Sequence, residues 1–326
     1  MKNKKTIVLI ILFIVFLISL YLAIYAGYRD LGVKMFLKSF HLSNDTDSMI
    51  LSLLRYPRAV KAVIAGICLA LAGMFMQAVS KNPLAEPYIT GISSGAGLGI
   101  TLSILFFNSV NYSVFGFFGA IISSALVIVF SGLNRFSVTK LILIGLSINI
   151  FLSSLISFII LVNPEKSYTM TLILAGGLTN NEVISNGSLT ILFLIALTFA
   201  GLLIPKLNFL RLDSDLLEAN KVRKNFYLIL IICVSAFLSS LSVFSAGILG
   251  FIGIIAPQIS RMLLGQDYRW LFVSNIFIGA TFILMSDFIA RVVVYPLQIP
   301  LGLIVAFLGA PVFVFFLTKK GEMFRD

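Results

Sequence analysis

Residues 58–79 read RAVKAVIAGICLALAGMFMQAV, an apolar run whose only charges, Arg58 and Lys61, sit at its start. At about 1.5 Å per residue such a helix spans roughly 30 Å, the thickness of a bilayer's hydrocarbon core. Within it Ala62, Gly66 and Ala70 recur at every fourth position, and Gly73 and Gln77 continue an adjacent row. Rows of small side chains let helix backbones approach closely in lipid, where no hydrophobic drive exists between helices. The stretch reads as a buried transmembrane helix.

Working outward, similar apolar runs fall at 7–26, 91–107, 114–133, 141–162, 188–205, 226–244, 248–264, 270–291 and 301–317. The expectation is an all-α integral membrane protein of about ten transmembrane helices, with residues 1–326 forming a single transmembrane domain. Composition agrees: 59% of the 326 residues are hydrophobic and 11% charged, with a mean hydropathy of +1.07. A soluble chain carries roughly 25% charged residues, so polar surface is too scarce here to coat a water-soluble globule. The first run follows Lys2, Lys4 and Lys5. It is too long for a signal peptide and no small-x-small site follows it, so it reads as a retained helix with its N-terminus inside.

The net charge of +11 divides across this topology. Sixteen of the 24 Lys and Arg residues fall on the inner side, as the positive-inside rule demands, with both termini cytoplasmic. No basic stretch is interleaved with aromatics, so nucleic acid is not the partner. Cys68 and Cys233 lie in apolar runs as small packing residues, and with the single histidine His41 they assemble no metal site. Arg29 to Arg55 reads as the first outer loop. Asn163 to Asn186, broken by Pro164, Gly176 and Gly177, reads as an outer loop with a short, partly embedded helix. Lys206 to Asn225, rich in both signs of charge, reads as an inner loop containing an amphipathic helix.

Three polar constellations stand out. Asn149, Ser153 and Ser157 form a stripe on the fifth helix, either lining a solute path or bonding back to their own helix carbonyls. Asp287 and Arg291 stand one turn apart and can pair. Ionisable residues inside spans are functional by default, although Asp287 could simply neutralise Arg291. Arg55-Tyr56-Pro57-Arg58 opens the second helix at the water boundary, where its arginines can take carboxylates bidentately or merely snorkel.

The ordered series Arg55-Tyr56-Pro57-Arg58, Gly66, Leu69-Ala70, Gly73, Gln77, Asn82-Pro83-Leu84-Ala85-Glu86-Pro87, Gly91 and Ser94-Gly95-Ala96 resembles the signature of a known family: the iron–siderophore and vitamin B12 (FecCD-type) permeases of ABC importers. The C-terminal half agrees, with Gly253-Ile254-Ile255-Ala256-Pro257, Arg261, Asp267-Tyr268-Arg269, Asp287, Ala290-Arg291 and Gly309-Ala310-Pro311 in the family's order. The resemblance runs from about residue 50 to the end.

That resemblance implies a type II importer fold in which two permease subunits, identical or different, pack around a central path. An ABC ATPase dimer, using ATP and Mg, drives them, and an extracytoplasmic substrate-binding lipoprotein delivers the ligand. It implies that Arg55, Arg58 and Arg291 receive acidic residues of the binding protein. It also implies that Leu210, Asp213, Glu218, Ala219, Asn220, Lys221 and Val222 lie in the loop that couples to the ATPase. The cargo it implies is a ferric siderophore, with haem or a cobalamin as alternatives. This chain departs from the family where Asp213 and Asn220-Lys221 replace customary glycines and neighbours. It departs again at Gln258 and Gln298, where a histidine and a glutamate are common. No Gly-Lys pair occurs, so there is no phosphate-binding loop and the ATPase must be another polypeptide. Two other classes fit the sequence less well. A membrane-embedded enzyme would need clustered carboxylates, and the thirteen Asp and Glu are scattered. A passive or ion-coupled carrier would work without ATP.

Overall fold

The computed structural model describes residues 2–26, 50–107, 112–132, 136–178, 186–210, 224–294 and 297–323. Among these residues there are eleven α-helices: α1 (Lys2–Tyr25), α2 (Tyr56–Ser80), α3 (Ile92–Phe107), α4 (Tyr112–Phe130), α5 (Val138–Val162), α6 (Pro164–Leu174), α7 (Asn186–Leu210), α8 (Lys224–Ala246), α9 (Ile252–Leu264), α10 (Tyr268–Val292) and α11 (Leu301–Met323). All ten apolar runs are helical. Seven helices are long and apolar enough to cross a membrane; α3, α9 and the apolar part of α11 are shorter. At thirteen residues, α9 reaches only about 20 Å. The eleventh helix, α6, is the short one expected in the Asn163–Asn186 loop, started by Pro164 at its first turn.

Helix α2 is the hub. It packs on α8 and α10 along its length and on α9 near its end. In its most apolar stretch 89% of residues are buried, against 11% in α5 and 17% in α1, so α5 and α1 are peripheral. The small-residue rows explain the depth. A Cβ added at Gly66 would run into the carbonyl oxygen of Gly279 on α10, and one at Gly73 into the carbonyl oxygen of Gly253 on α9. The helices touch backbone to backbone, and only glycine permits it. Around these seams Leu71, Met74, Phe75, Leu207, Ile232 and Leu271 form one buried cluster. Ala62, Leu69, Ala70, Ile283 and Leu284 belong to a second that reaches α1.

Three boundaries differ from expectation. Ile50–Arg55 is a π-helical turn that runs into α2 rather than outer loop; buried Leu51 packs in the second cluster and holds the turn in place. Helix α7 continues through Pro205 to Leu210, taking the first residues of the expected inner loop, because Leu207 is fully buried. The run at 248–264 turns helical only at Ile252. Gly247 and Phe251, with φ of 74° and 66°, break the chain before it, and left-handed backbone at Phe251 is uncommon for a non-glycine residue.

Candidate functional site

Asp287 lies on α10 with only 3% of its side chain exposed, and both its oxygens are used. Oδ1 accepts from Arg58 Nε at 2.8 Å and Oδ2 from Arg291 Nε at 3.1 Å. The i, i+4 pair expected from the sequence is therefore one half of a three-residue cluster joining α2 to α10. Arg58 also donates from Nη1 to Gln298 Oε1 at 3.1 Å, and Arg291 from Nη2 to the Ala23 carbonyl at 2.8 Å. Arg55 donates to the neighbouring Ile24 carbonyl at 2.8 Å. The last carbonyls of a helix have no partner within it, and here two arginines cap those of α1. Beside them the Tyr25 and Tyr56 hydroxyls are 2.7 Å apart. Arg55, Arg58 and Arg291 thus converge on one end of the bundle, where α1 ends and α2 begins.

At the other end of α2, the segment 82–91 is clamped to α9 and the chain before it. The Asn82 side chain accepts from Leu84 N–H at 2.9 Å and turns the chain. The Pro83 carbonyl accepts from Gln258 Nε2 at 2.6 Å, and Glu86 Oε1 accepts from Phe251 N–H at 2.9 Å. Pro87 starts a 3₁₀ turn, Pro87–Thr90, which Gly91 closes at φ 77°; its ring packs on Gly253. Gln77 donates to the Gly253 carbonyl at 3.0 Å and accepts from Arg261. Gly95 lies against Gly119 and Ser123, and Gly309 against Phe251; Pro257 and Pro311 stand within α9 and α11. Burial pushes the Glu86 carboxyl above the ordinary carboxylate range, and the Phe251 N–H partly opposes it.

The stripe on α5 is bonded partly back along its own helix and partly faces open space. Ser157 donates to the Ser153 carbonyl and Ser154 to the Ile150 carbonyl, each at 2.9 Å, back along their own helix. Asn149, Ser153 and Ser157 also border an open cleft of about 560 Å³. It adjoins a second of about 470 Å³ that Ser94, Leu174 and Ile248 help line. Asn149 is tethered in addition: its Nδ2 donates to the Tyr88 carbonyl at 3.0 Å and its Oδ1 accepts from Ser94 at 2.6 Å. The sequence reading assigned no role to Tyr88, Glu86 or Asn208, though Glu86 lies inside a motif it quoted.

Of the residues that the family resemblance assigns to coupling, Leu210 ends α7. Asp213, Glu218, Ala219, Asn220, Lys221 and Val222 lie outside the described residues. The end of α7 is nonetheless anchored. Asn208 Nδ2 donates to Asp267 Oδ1 at 2.9 Å, and its Oδ1 accepts from Tyr268 N–H at 3.2 Å. Asp267 also caps α10 through Arg269 N–H at 3.0 Å. Among the described residues no group of His, Cys, Asp and Glu could hold a metal ion.

A bundle whose hub helix meets its neighbours backbone to backbone, and whose peripheral helices turn apolar side chains outward, is a multi-pass membrane protein. The FecCD transport family matches residues 11–319, and the chain belongs to that family. It is 31% identical to the Fe(3+)-citrate import system permease protein of Bacillus subtilis, over 98% of this chain and 97% of that one. It is 31% identical to the protein of Staphylococcus aureus named "Probable heme-iron transport system permease protein IsdF", over 98% of each. Among solved structures, a metal-chelate type ABC transporter in an inward-facing conformation superposes with a TM-score of 0.84 at 29% identity. That match covers 96% of this chain and 99% of that one. The fold is that of type II ABC importer permeases.

Proposed function

We propose that this chain is the membrane-spanning permease subunit of an ABC importer that brings an iron chelate across the cytoplasmic membrane. The chelate is of the ferric citrate or ferric siderophore kind, and the chain itself catalyses no reaction. The carrying observation is the end-to-end likeness to permeases named for ferric citrate and heme-iron. Haem is the second reading, favoured by the staphylococcal relative. The whole chain acts as one permease domain with both termini inside. It pairs with a second permease subunit, identical or not, and binds no cofactor of its own; ATP and Mg serve the partner ATPases.

Each step falls to particular side chains. Arg55, Arg58 and Arg291 receive carboxylates of a binding protein that delivers the chelate. Residues 210–222 take up the motion of the ATPase dimer, and α7, held at Asn208, passes it to α10. Asn149, Ser153 and Ser157 face the path. Transport of radiolabelled ferric chelate and of haem into proteoliposomes holding the permease, its ATPase and its binding protein tests the reading. ATP-dependent uptake of the chelate is expected. Uptake that persists without ATP, or that takes neither cargo, overturns it. Scrambling residues 213–221 should leave ATP hydrolysis while stopping uptake; intact uptake would remove the coupling role.

A further inference from the structure

The geometry points to Asp287 as the positioning residue of a two-arginine claw for one partner carboxylate, with Gln298 and the Ala23 carbonyl as placeholders for that carboxylate. This deepens, and rests on, the docking role proposed for Arg58 and Arg291.

The argument is stereochemical. A guanidinium offers a planar fork of five N–H donors. Asp287 takes the Nε of both arginines, one on each of its oxygens. That fixes the two planes and leaves the Nη ends to other acceptors. Both acceptors are neutral: Gln298 Oε1 for Arg58 and a peptide carbonyl, that of Ala23, for Arg291. A carboxylate on the same donors makes a charge-assisted bond, roughly twice as strong as a neutral one. Exposure has the matching order. Arg58 keeps 19% of its side chain exposed and Arg291 14%, but Asp287 only 3%. An arriving group meets the cations and not the buried anion. Two guanidiniums share one carboxylate, so the cluster carries a surplus positive charge for the partner's acid to neutralise.

Docking then has a structural consequence. When a carboxylate takes Arg291 Nη2, the Ala23 carbonyl loses that donor, while Arg55 on the Ile24 carbonyl and the Tyr25–Tyr56 pair keep the end of α1 in place.

The test sets charge against geometry. Removing a negative charge from a site that binds an anion should tighten binding if only charge matters. Removing the residue that aims the arginines should weaken it. Docking of the import system's own binding protein to the permease–ATPase complex in lipid nanodiscs is measured by surface plasmon resonance at several salt concentrations. Asp287→Asn is expected to weaken docking roughly tenfold. Arg58→Lys, which keeps the charge but not the planar fork, is expected to weaken it by a similar factor, and Gln298→Ala to leave it within about twofold. If Asp287→Asn docks as tightly as the native complex or more tightly while Arg58→Glu and Arg291→Glu fail to dock, the claw is wrong and the docking surface stands. Unchanged docking in the two Arg→Glu variants removes the surface itself. Should Asp287→Asn lose its folded helix content, Arg58→Lys decides: native affinity there overturns the claw.

Discussion

The phenol oxygen of Tyr88 holds both backbone polar groups of Leu249, donating to its carbonyl at 2.6 Å and accepting from its N–H at 3.1 Å. Leu249 lies between the two left-handed residues Gly247 and Phe251, where no helix ladder serves these groups. Burial, with the nearby Glu86 charge, raises the hydroxyl's pKa and keeps it protonated. Tyr88→Phe keeps the ring and orphans a buried N–H and C=O, a loss of about 1–3 kcal/mol. A lower unfolding temperature in detergent and faster amide exchange at Leu249 are expected; native exchange there would show the bonds unimportant.

The two backbone seams of α2 predict a sharp asymmetry among glycine substitutions. Gly66→Ala and Gly73→Ala each press a methyl into a facing carbonyl. Overpacking costs about 1–3 kcal/mol where side chains can yield and more where backbone must. Both variants should lose folded yield on size-exclusion chromatography. Gly177 has no atom within 4 Å of an added Cβ, so Gly177→Ala should change stability by no more than about 0.5 kcal/mol.

Water in the α5 cleft can be read by thiol labelling. Cys68 is buried and Cys233 is exposed, so the background is Cys233→Ser. Ser157, which borders the cleft, and Phe151, exposed on the other side of α5, are then changed singly to cysteine. A membrane-impermeant maleimide needs a hydrated thiolate. Labelling at position 157 and not at 151 is expected in the assembled transporter; equal protection would place Ser157 against lipid or protein instead of the path.

How far the sequence carried differs from feature to feature. The apolar runs marked ten of the eleven described α-helices because length and hydropathy are local properties. The glycine rows showed which face of α2 would be crowded, but not that Gly279 and Gly253, some two hundred residues on, would fill it. Such partners are set by packing at long range. The break before α9 was hidden for another reason. Gly247-Ile248-Leu249-Gly250-Phe251 is apolar enough to read as helix, and hydropathy is blind to the sign of φ. The Asp287–Arg291 spacing gave half of a cluster whose other half, Arg58, is distant in sequence. The family signature marked Arg58 and Glu86, yet their acceptors and donors came only from the fold. At residues 213–222 the charge pattern suggests a loop role that the described residues do not reach.

The cap at the start of α10 predicts how acid acts on the end opposite the arginine cluster. Partial burial alone would raise the Asp267 pKa. The Arg269 N–H, the Asn208 amide and the charges of Arg269 and Lys5 outweigh it and hold the carboxyl below its usual 3.8. A carboxyl depressed in the folded state contributes stability that is fully present above its unfolded value and is lost as pH falls through the folded one. The window therefore lies below 3.8, and between pH 5 and 8 the cap should be insensitive to pH. Asp267→Asn keeps an acceptor for Arg269 but loses the charge opposite Lys5 and Arg269. It should bring acid-like loosening to neutral pH: faster amide exchange at Arg269 and at Trp270, whose ring lies under Lys5 Nζ at 5.8 Å. Asn208→Leu should produce the same loosening and also free the end of α7, and, because it removes one of the donors that hold the Asp267 carboxyl down, should move the acid transition of the cap upward towards 3.8. Protection of these amides, relative to their intrinsic exchange, that changes between pH 5 and 8 in the native chain would mean that some other group, and not Asp267, holds α7 to α10.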